Sequence, residues 1–161
     1  MPALSHAEKS ELLSKMCHYV PHARHQGIHL VQLEGDEITL CLPYRRELVG
    51  NPDNGAVHGG ALSVLLDHTL GIAGIAHDKV GPHITPTLDL RIDHLGIAPE
   101  GKDIYAAAHA YRVTRRIAFV EGLAWVDSRE DPIARATGSW VIMRDVDLRQ
   151  MLAHTPSGEA P

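Results

Sequence analysis

Asp67 stands between Leu66 and His68 inside ALSVLLDHTLGIAGIA, the longest apolar run of the chain, residues 61–76. A lone carboxylate in such a run is expensive to bury. It must reach a surface, pair with a core group, or be kept as an acid, base or nucleophile. His58-Gly59-Gly60 leads into the same run. Glycines there let backbone N–H groups come close to a ligand, and the first turn of a helix offers unpaired donors and a positive dipole end. That combination polarises a carbonyl or holds an oxyanion. Gly59 and Asp67 are eight positions apart, about 12 Å along one helix axis, so one carbonyl cannot touch both in the same chain. A two-fold dimer with the two helices antiparallel brings Asp67 of one subunit to Gly59 of the other. If the residues cooperate, there are two sites and each lies at the subunit interface.

Other chemistry finds less support. Twelve histidines invite a metal, but no HExxH spacing occurs. Cys17, His18, His22 and His25 cluster around a helix end without a matching carboxylate, so no metal site is expected. His58 either contacts a substrate or sets its loop, and His68 reads as a packing or interface residue. Ser63 lacks a G-x-S-x-G elbow and is no credible nucleophile.

The chain has 161 residues, 44% hydrophobic and 22% charged, the profile of one globular domain with a sizeable core. With one Phe, two Trp and four Tyr, that core is built from aliphatic side chains and alanine. A net charge of −5 argues against a nucleic-acid platform. Two cysteines, Cys17 and Cys41, are too few for a disulfide framework. The N-terminus lacks an apolar signal region, and Asp67 and His68 make the apolar run too short and polar for a membrane span. The expectation is a soluble cytoplasmic protein.

Several elements follow from pattern. Ser5 and Glu8 form a capping box ahead of Leu12, Leu13 and Met16 at helical spacing. Short strands are expected at 28–33 and 37–42, then a loop over 51–60 and the apolar helix, which lacks a polar face and so is buried on all sides. In TLDLRIDHL, Leu88, Leu90 and Ile92 alternate with Asp89, Arg91 and Asp93. Strands at 104–113, 117–127 and 133–143 each carry a small-residue stripe at period two: Ala106, Ala108, Ala110; Ala118, Gly122, Ala124; Ala134, Ala136, Gly138. A face paved with Ala and Gly suits a helix pressed close, which gives an α+β architecture with an antiparallel sheet wrapped around a central helix. The expected divisions are a helical segment over 1–24, the main domain over 25–144, and a tail over 145–161 that frays.

Gly55, His58-Gly59-Gly60, Leu66-Asp67 and Gly71, followed by TLDLRIDHL, resemble the hotdog-fold acyl-CoA thioesterases, specifically the PaaI-type branch of phenylacetate degradation. Residues 115–121 and 136–139 resemble that family's last two strands, so the likeness runs from about residue 25 to 143. The resemblance implies the hotdog fold, hydrolysis of an acyl-CoA to free acid and CoA, and a homodimer often paired into a tetramer. It implies no metal and no redox cofactor, coenzyme A being part of the substrate. Gly59, after the motif histidine His58 and beside Gly60, then polarises the thioester carbonyl, and Asp67 of the partner serves as nucleophile or general base. Thr85 matches the Ser or Thr that faces the acid. One departure is Pro52, where the family commonly has Asn or Gln; Asn51 and Asn54 flank it and either can substitute. The loop 95–99 lacks the family's basic residue, which leaves Arg115 and Arg116 for the CoA phosphates through their planar forks. Two other readings are a non-hydrolytic acyl-CoA binding or sensing protein, and a hotdog dehydratase, whose motifs this chain lacks.

Overall fold

The computed structural model describes residues 4–153. In chain order the elements are α1 (His6–Tyr19), α2 (Pro21–His25), β1 (His29–Glu34), β2 (Glu37–Leu42), β3 (Val49–Asn51), β4 (Ala56–Val57), α3 (Gly59–Ala76), β5 (His83–Ile84), β6 (Thr87–His94), β7 (Ile104–Val113), β8 (Ile117–Trp125), β9 (Ala134–Val141), β10 (Met143–Asp147) and α4 (Leu148–Ala153), with a short 3-10 turn at Arg46–Leu48. The main sheet is antiparallel, with strand order β1-β2-β7-β8-β9-β6. This is the hotdog fold: six strands wrapped around α3.

The small-residue stripes explain how close the helix lies. Ala106, Ala108, Ala118, Ala124, Ala134 and Ala136 are all buried under α3 or beside it. A Cβ on Gly122 would stand 2.6 Å from the Ala107 carbonyl oxygen and 3.0 Å from Leu70 Cδ1, so that position has room only for hydrogen. From the helix side, Gly71 makes space for the buried Trp140 indole and Gly74 approaches Ala118. By length and composition alone α3 could cross a bilayer, contrary to the sequence expectation, but more than half of it is buried inside the fold.

At the start of α1 both arms of the Ser5–Glu8 capping box form, and Leu12, Leu13, Met16 and Cys17 point inward. Burial pushes the Cys17 thiol up to about 12, which makes it a packing residue. Residues 145–153 do not fray. β10 pairs with β5, and the buried Leu148 anchors α4, its N–H donating to the Pro82 carbonyl. The rest of the expected tail, 154–161, lies outside the described residues.

β6 departs from simple alternation. The register with β9 shifts between Thr87 and Asp89, leaving Leu88 without a partner. Leu90 and Ile92 pack against the core as expected, whereas Leu88 is 56% exposed. Gly138 permits the shift, since a Cβ there would stand 2.3 Å from the Asp89 carbonyl oxygen. The consequence is a change of face. Thr87 is paired with Trp140 and His94 with Ala134, both core-facing, so Thr87, Leu90, Ile92 and His94 all lie on the helix side of the sheet.

Candidate active site

α3 begins at His58. The loop before it is fixed by the His58 N–H donating to the Leu48 carbonyl at 2.7 Å and by the hairpin of β3 and β4, whose turn needs Gly55 at φ +68°. His58 is the N-cap: its Nδ1 accepts the Gly60 N–H at 2.8 Å. An accepting Nδ1 leaves the proton of the neutral ring on Nε2. His58 therefore sets the start of the helix. A Cβ on Gly60 would stand 2.8 Å from that Nδ1, which is why the cap requires glycine there. The Gly59 N–H finds no acceptor among the described residues and sits exposed at the positive end of an 18-residue helix.

Two turns further on, Asp67 is half-buried on the side of α3 that faces β6. Its Oδ1 accepts a hydrogen bond from the Thr87 hydroxyl at 2.8 Å. Thr85, expected to face the acid, instead donates to the Gly71 carbonyl at 2.9 Å and is buried. Both threonines face α3, and Thr85 lies about one helical turn further along it, beside Gly71 and Gly74, which leaves Thr87 to reach Asp67. Beside Asp67 opens a pocket of about 270 Å³ whose walls include Met16, Val20, Ile72, Ile75, Ile84 and Trp140. His68 also lines it. Burial pushes this imidazole down to about 4 against a smaller opposing pull from Asp67, so it is neutral near pH 7, and its Nε2 has no hydrogen-bond partner.

The other expected residues fall at the two ends of the site. Asn51 and Asn54 turn their side-chain carbonyls onto their own loop, accepting from the Asp53 and Ala56 N–H groups at 3.0 Å each. Arg115 and Arg116 are exposed in the β7–β8 turn. The strand register puts that turn at the Thr87 end of the sheet, away from Gly59. Arg144 joins them, its guanidinium donating to the Arg115 and Lys79 carbonyls.

Sequence reasoning missed Thr87 and His94. Among the described residues outside α3 and its cap, the ring of His94 alone comes within 4 Å of where a Gly59 Cβ would be, with Cε1 at 3.5 Å. Thr87 was hidden by the register shift, for which Gly138 opposite Leu90 is the sequence signal.

The geometry thus forms two separate clusters on one chain, one of Asp67 with Thr87 and the other of Gly59 with His94. Both lie along β6, an edge strand of the sheet.

The sequence model of the thioesterase superfamily matches residues 54–133, spanning the loop before α3 through the turn before β9. A crystal structure of a Pseudomonas aeruginosa protein is 37% identical, with TM-score 0.75, covering 84% of this chain and 99% of that one. The phenylacetic acid degradation protein PaaI from Thermus thermophilus shares the fold at 21% identity and TM-score 0.66, covering 76% of this chain and 99% of its own. A Streptococcus mutans protein solved with acetyl CoA bound is similar in fold at 17% identity and TM-score 0.62, covering 72% and 88% of the two chains. No curated protein matches the sequence.

Proposed function

Because the chain belongs to the thioesterase superfamily, we propose that it hydrolyses an acyl-CoA thioester at a site completed by a second copy of itself. The observation that carries this reading is the placement of Asp67. It is a carboxylate on a core helix, held by Thr87 at 2.8 Å and opening on an apolar pocket. The Oδ2 of Asp67 accepts no hydrogen bond among the described residues, so it is available to the reaction. It either takes a proton from water as that water attacks the carbonyl carbon, or attacks the carbon itself to give an anhydride that water then opens. In both routes the C–S bond breaks, coenzyme A leaves as the thiol, and the acyl group leaves as the acid.

Charge develops on the carbonyl oxygen as either attack proceeds. The Gly59 N–H, unpaired and at the helix N-terminus, meets it. One chain cannot present both groups to one carbonyl. A two-fold axis perpendicular to the sheet, near the middle of the free edge β6, sets the end of one strand bearing His94 against the end of its partner bearing Thr87. Gly59 then faces the partner's Asp67, twice per dimer. Exposed Leu88 and Leu95, at 56% and 57%, supply apolar area along that edge. An unpaired strand edge with apolar side chains is unstable toward pairing.

The acyl group fits the pocket between α1 and α3, whose aliphatic and indole walls suit an uncharged aromatic or medium-length aliphatic chain. The CoA phosphates go to Arg115, Arg116 and Arg144. The test follows free thiol from phenylacetyl-, benzoyl-, short- and medium-chain acyl-CoA with wild type and Asp67→Asn. Hydrolysis by wild type, absent in a folded variant of unchanged mass, supports the reading. No hydrolysis with retained acyl-CoA binding selects an acyl-CoA sensor instead. That second reading draws on Pro52 and on two neighbouring asparagines already engaged with their own loop.

A further inference from the structure

We propose that His94 is a catalytic residue, a second donor to the thioester oxygen polarised by Gly59. The proposal rests on the thioesterase reading above and adds a residue to it. Three observations support it.

The first is proximity. The His94 ring approaches within 3.5 Å, and its Nδ1 within 4.0 Å, of the point where a Gly59 Cβ would stand, and among the described residues no group beyond the neighbouring residues and backbone of α3 comes within 4 Å of that point. A Cβ lies about 2.5 Å from its own backbone nitrogen. An oxygen seated at ordinary hydrogen-bond distance from the Gly59 N–H can therefore also be reached by the imidazole, on the same side of the helix start.

The second is orientation. His94 pairs with the buried Ala134 on β9, so its side chain leaves the sheet toward α3 and not toward the outer face. It ends a strand anchored by paired residues from Asp89 onward, which gives the ring a rigid base.

The third is availability. Among the described residues His94 has neither a hydrogen-bond nor an ion-pair partner, and it is exposed. His58, by contrast, spends its Nδ1 on the Gly60 N–H. A neutral imidazole always carries one ring N–H, so His94 can donate without first being protonated. The site then holds two convergent donors from one subunit, a backbone N–H and an imidazole N–H, facing the carboxylate of the other.

The experiment compares wild type, His94→Leu and His94→Gln on the acyl-CoA that wild type hydrolyses fastest, measuring kcat and KM separately and the mass of each variant by light scattering. Leucine fills the space without a donor, whereas the glutamine amide keeps one. In protein sites one oxyanion donor is worth about 100-fold or more in kcat. At this solvent-open position His94→Leu is expected to lower kcat at least roughly tenfold, with KM changed by less than about threefold, and His94→Gln to recover most of the loss. Unimpaired His94→Leu with an active wild type overturns this proposal and leaves the thioesterase reading standing. Loss of activity that coincides with a halved mass, or that glutamine does not relieve, overturns it as well. A wild type inactive on every substrate overturns the thioesterase reading and takes this proposal with it.

Discussion

Thr85 and Thr87 lie two residues apart and serve different partners, and replacing each with valine separates them. Valine keeps the branched shape that a strand favours and removes only the hydroxyl. In Thr87→Val the Asp67 carboxylate loses its 2.8 Å hydrogen bond. A hydrogen bond to a charged group contributes about 1.5–3 kcal/mol. Thr87 is exposed and Asp67 half-buried, so water compensates part of the loss and the low end applies. About 1.4 kcal/mol is a factor of ten in rate, and kcat/KM should fall roughly tenfold. Thr87→Ser, which restores the hydroxyl, should recover most of it. In Thr85→Val the buried hydroxyl that donates to the Gly71 carbonyl disappears. That costs about 1 kcal/mol of stability, a melting-point drop of about 2–4 °C for a domain of this size, with kcat/KM within about twofold of wild type. Thiol release and a thermal melt on the same preparations read both effects. If Thr85→Val removes activity while Thr87→Val leaves it intact, the assignment of the Asp67 partner to Thr87 is wrong.

Three further outcomes follow from the packing. Gly122→Ala places a methyl group 2.6 Å from the Ala107 carbonyl oxygen and 2.9 Å from Ala108 Cβ; overpacking of this kind costs about 1–3 kcal/mol, to be seen as a lower midpoint in urea. His68 is pushed from 6.5 down to about 4 by burial, so the unfolded chain takes up its proton first as pH falls. The stability it contributes is complete above pH 6.5 and declines toward pH 4 by up to about 3 kcal/mol; His68→Leu should flatten that slope in denaturant melts across the range. Replacing both Leu88 and Leu95 with lysine puts charge along the free edge of β6, and the mass by light scattering should fall to that of one chain, with hydrolysis lost and the far-UV spectrum retained.

Most of the architecture is legible in the sequence because it is written in periodicity. The stripes of Ala and Gly on three strands mark the concave face, and the absence of a polar face on residues 61–76 marks the helix they enclose. Ser5 and Glu8 mark the start of α1 by local hydrogen-bonding chemistry alone. The site is legible to the extent that its residues are odd in their surroundings: a carboxylate amid leucines, and two glycines at a helix entrance. Two kinds of information escape. A one-residue register shift inverts every inference drawn from alternation on its far side, so Thr87, outward by the alternation of TLDLRIDHL, in fact faces α3. Contacts between distant elements carry no local signature either, so His94, at the end of a polar strand, is indistinguishable from a surface histidine until Gly59 is seen beside it. The C-terminal segment 145–153 misleads for a related reason. Its order comes from one buried leucine and a two-stranded pairing with β5, contacts with elements far away in the chain.

The proposed division of the site between two chains has a consequence that no single-chain site can reproduce. Gly59 is the first residue of α3, a position where proline is well tolerated because its missing N–H is unpaired in any helix. His58 before it has φ −64° and ψ 135°, the extended conformation that a residue preceding proline prefers. Gly59→Pro therefore deletes the N–H proposed to polarise the carbonyl while leaving the helix in place, and should lower kcat about 100-fold or more. Asp67→Asn disables the other half-site. Each homodimer is then inactive. In a mixed dimer one site receives both defects, and the other receives Asp67 from the Gly59→Pro chain and the Gly59 N–H from the Asp67→Asn chain, so it is intact. Co-refolding the two variants in equal amounts makes about half of the dimers mixed, each with one working site of two. The expected activity is about a quarter of that of wild type, recovered from two preparations that have almost none. If each site were built within one chain, every chain in the mixture would carry a broken site and activity would stay at the background of the separate variants. Recovery on mixing thus tests the geometry of β6 and α3 directly, without a structure of the complex and without knowledge of the natural acyl group.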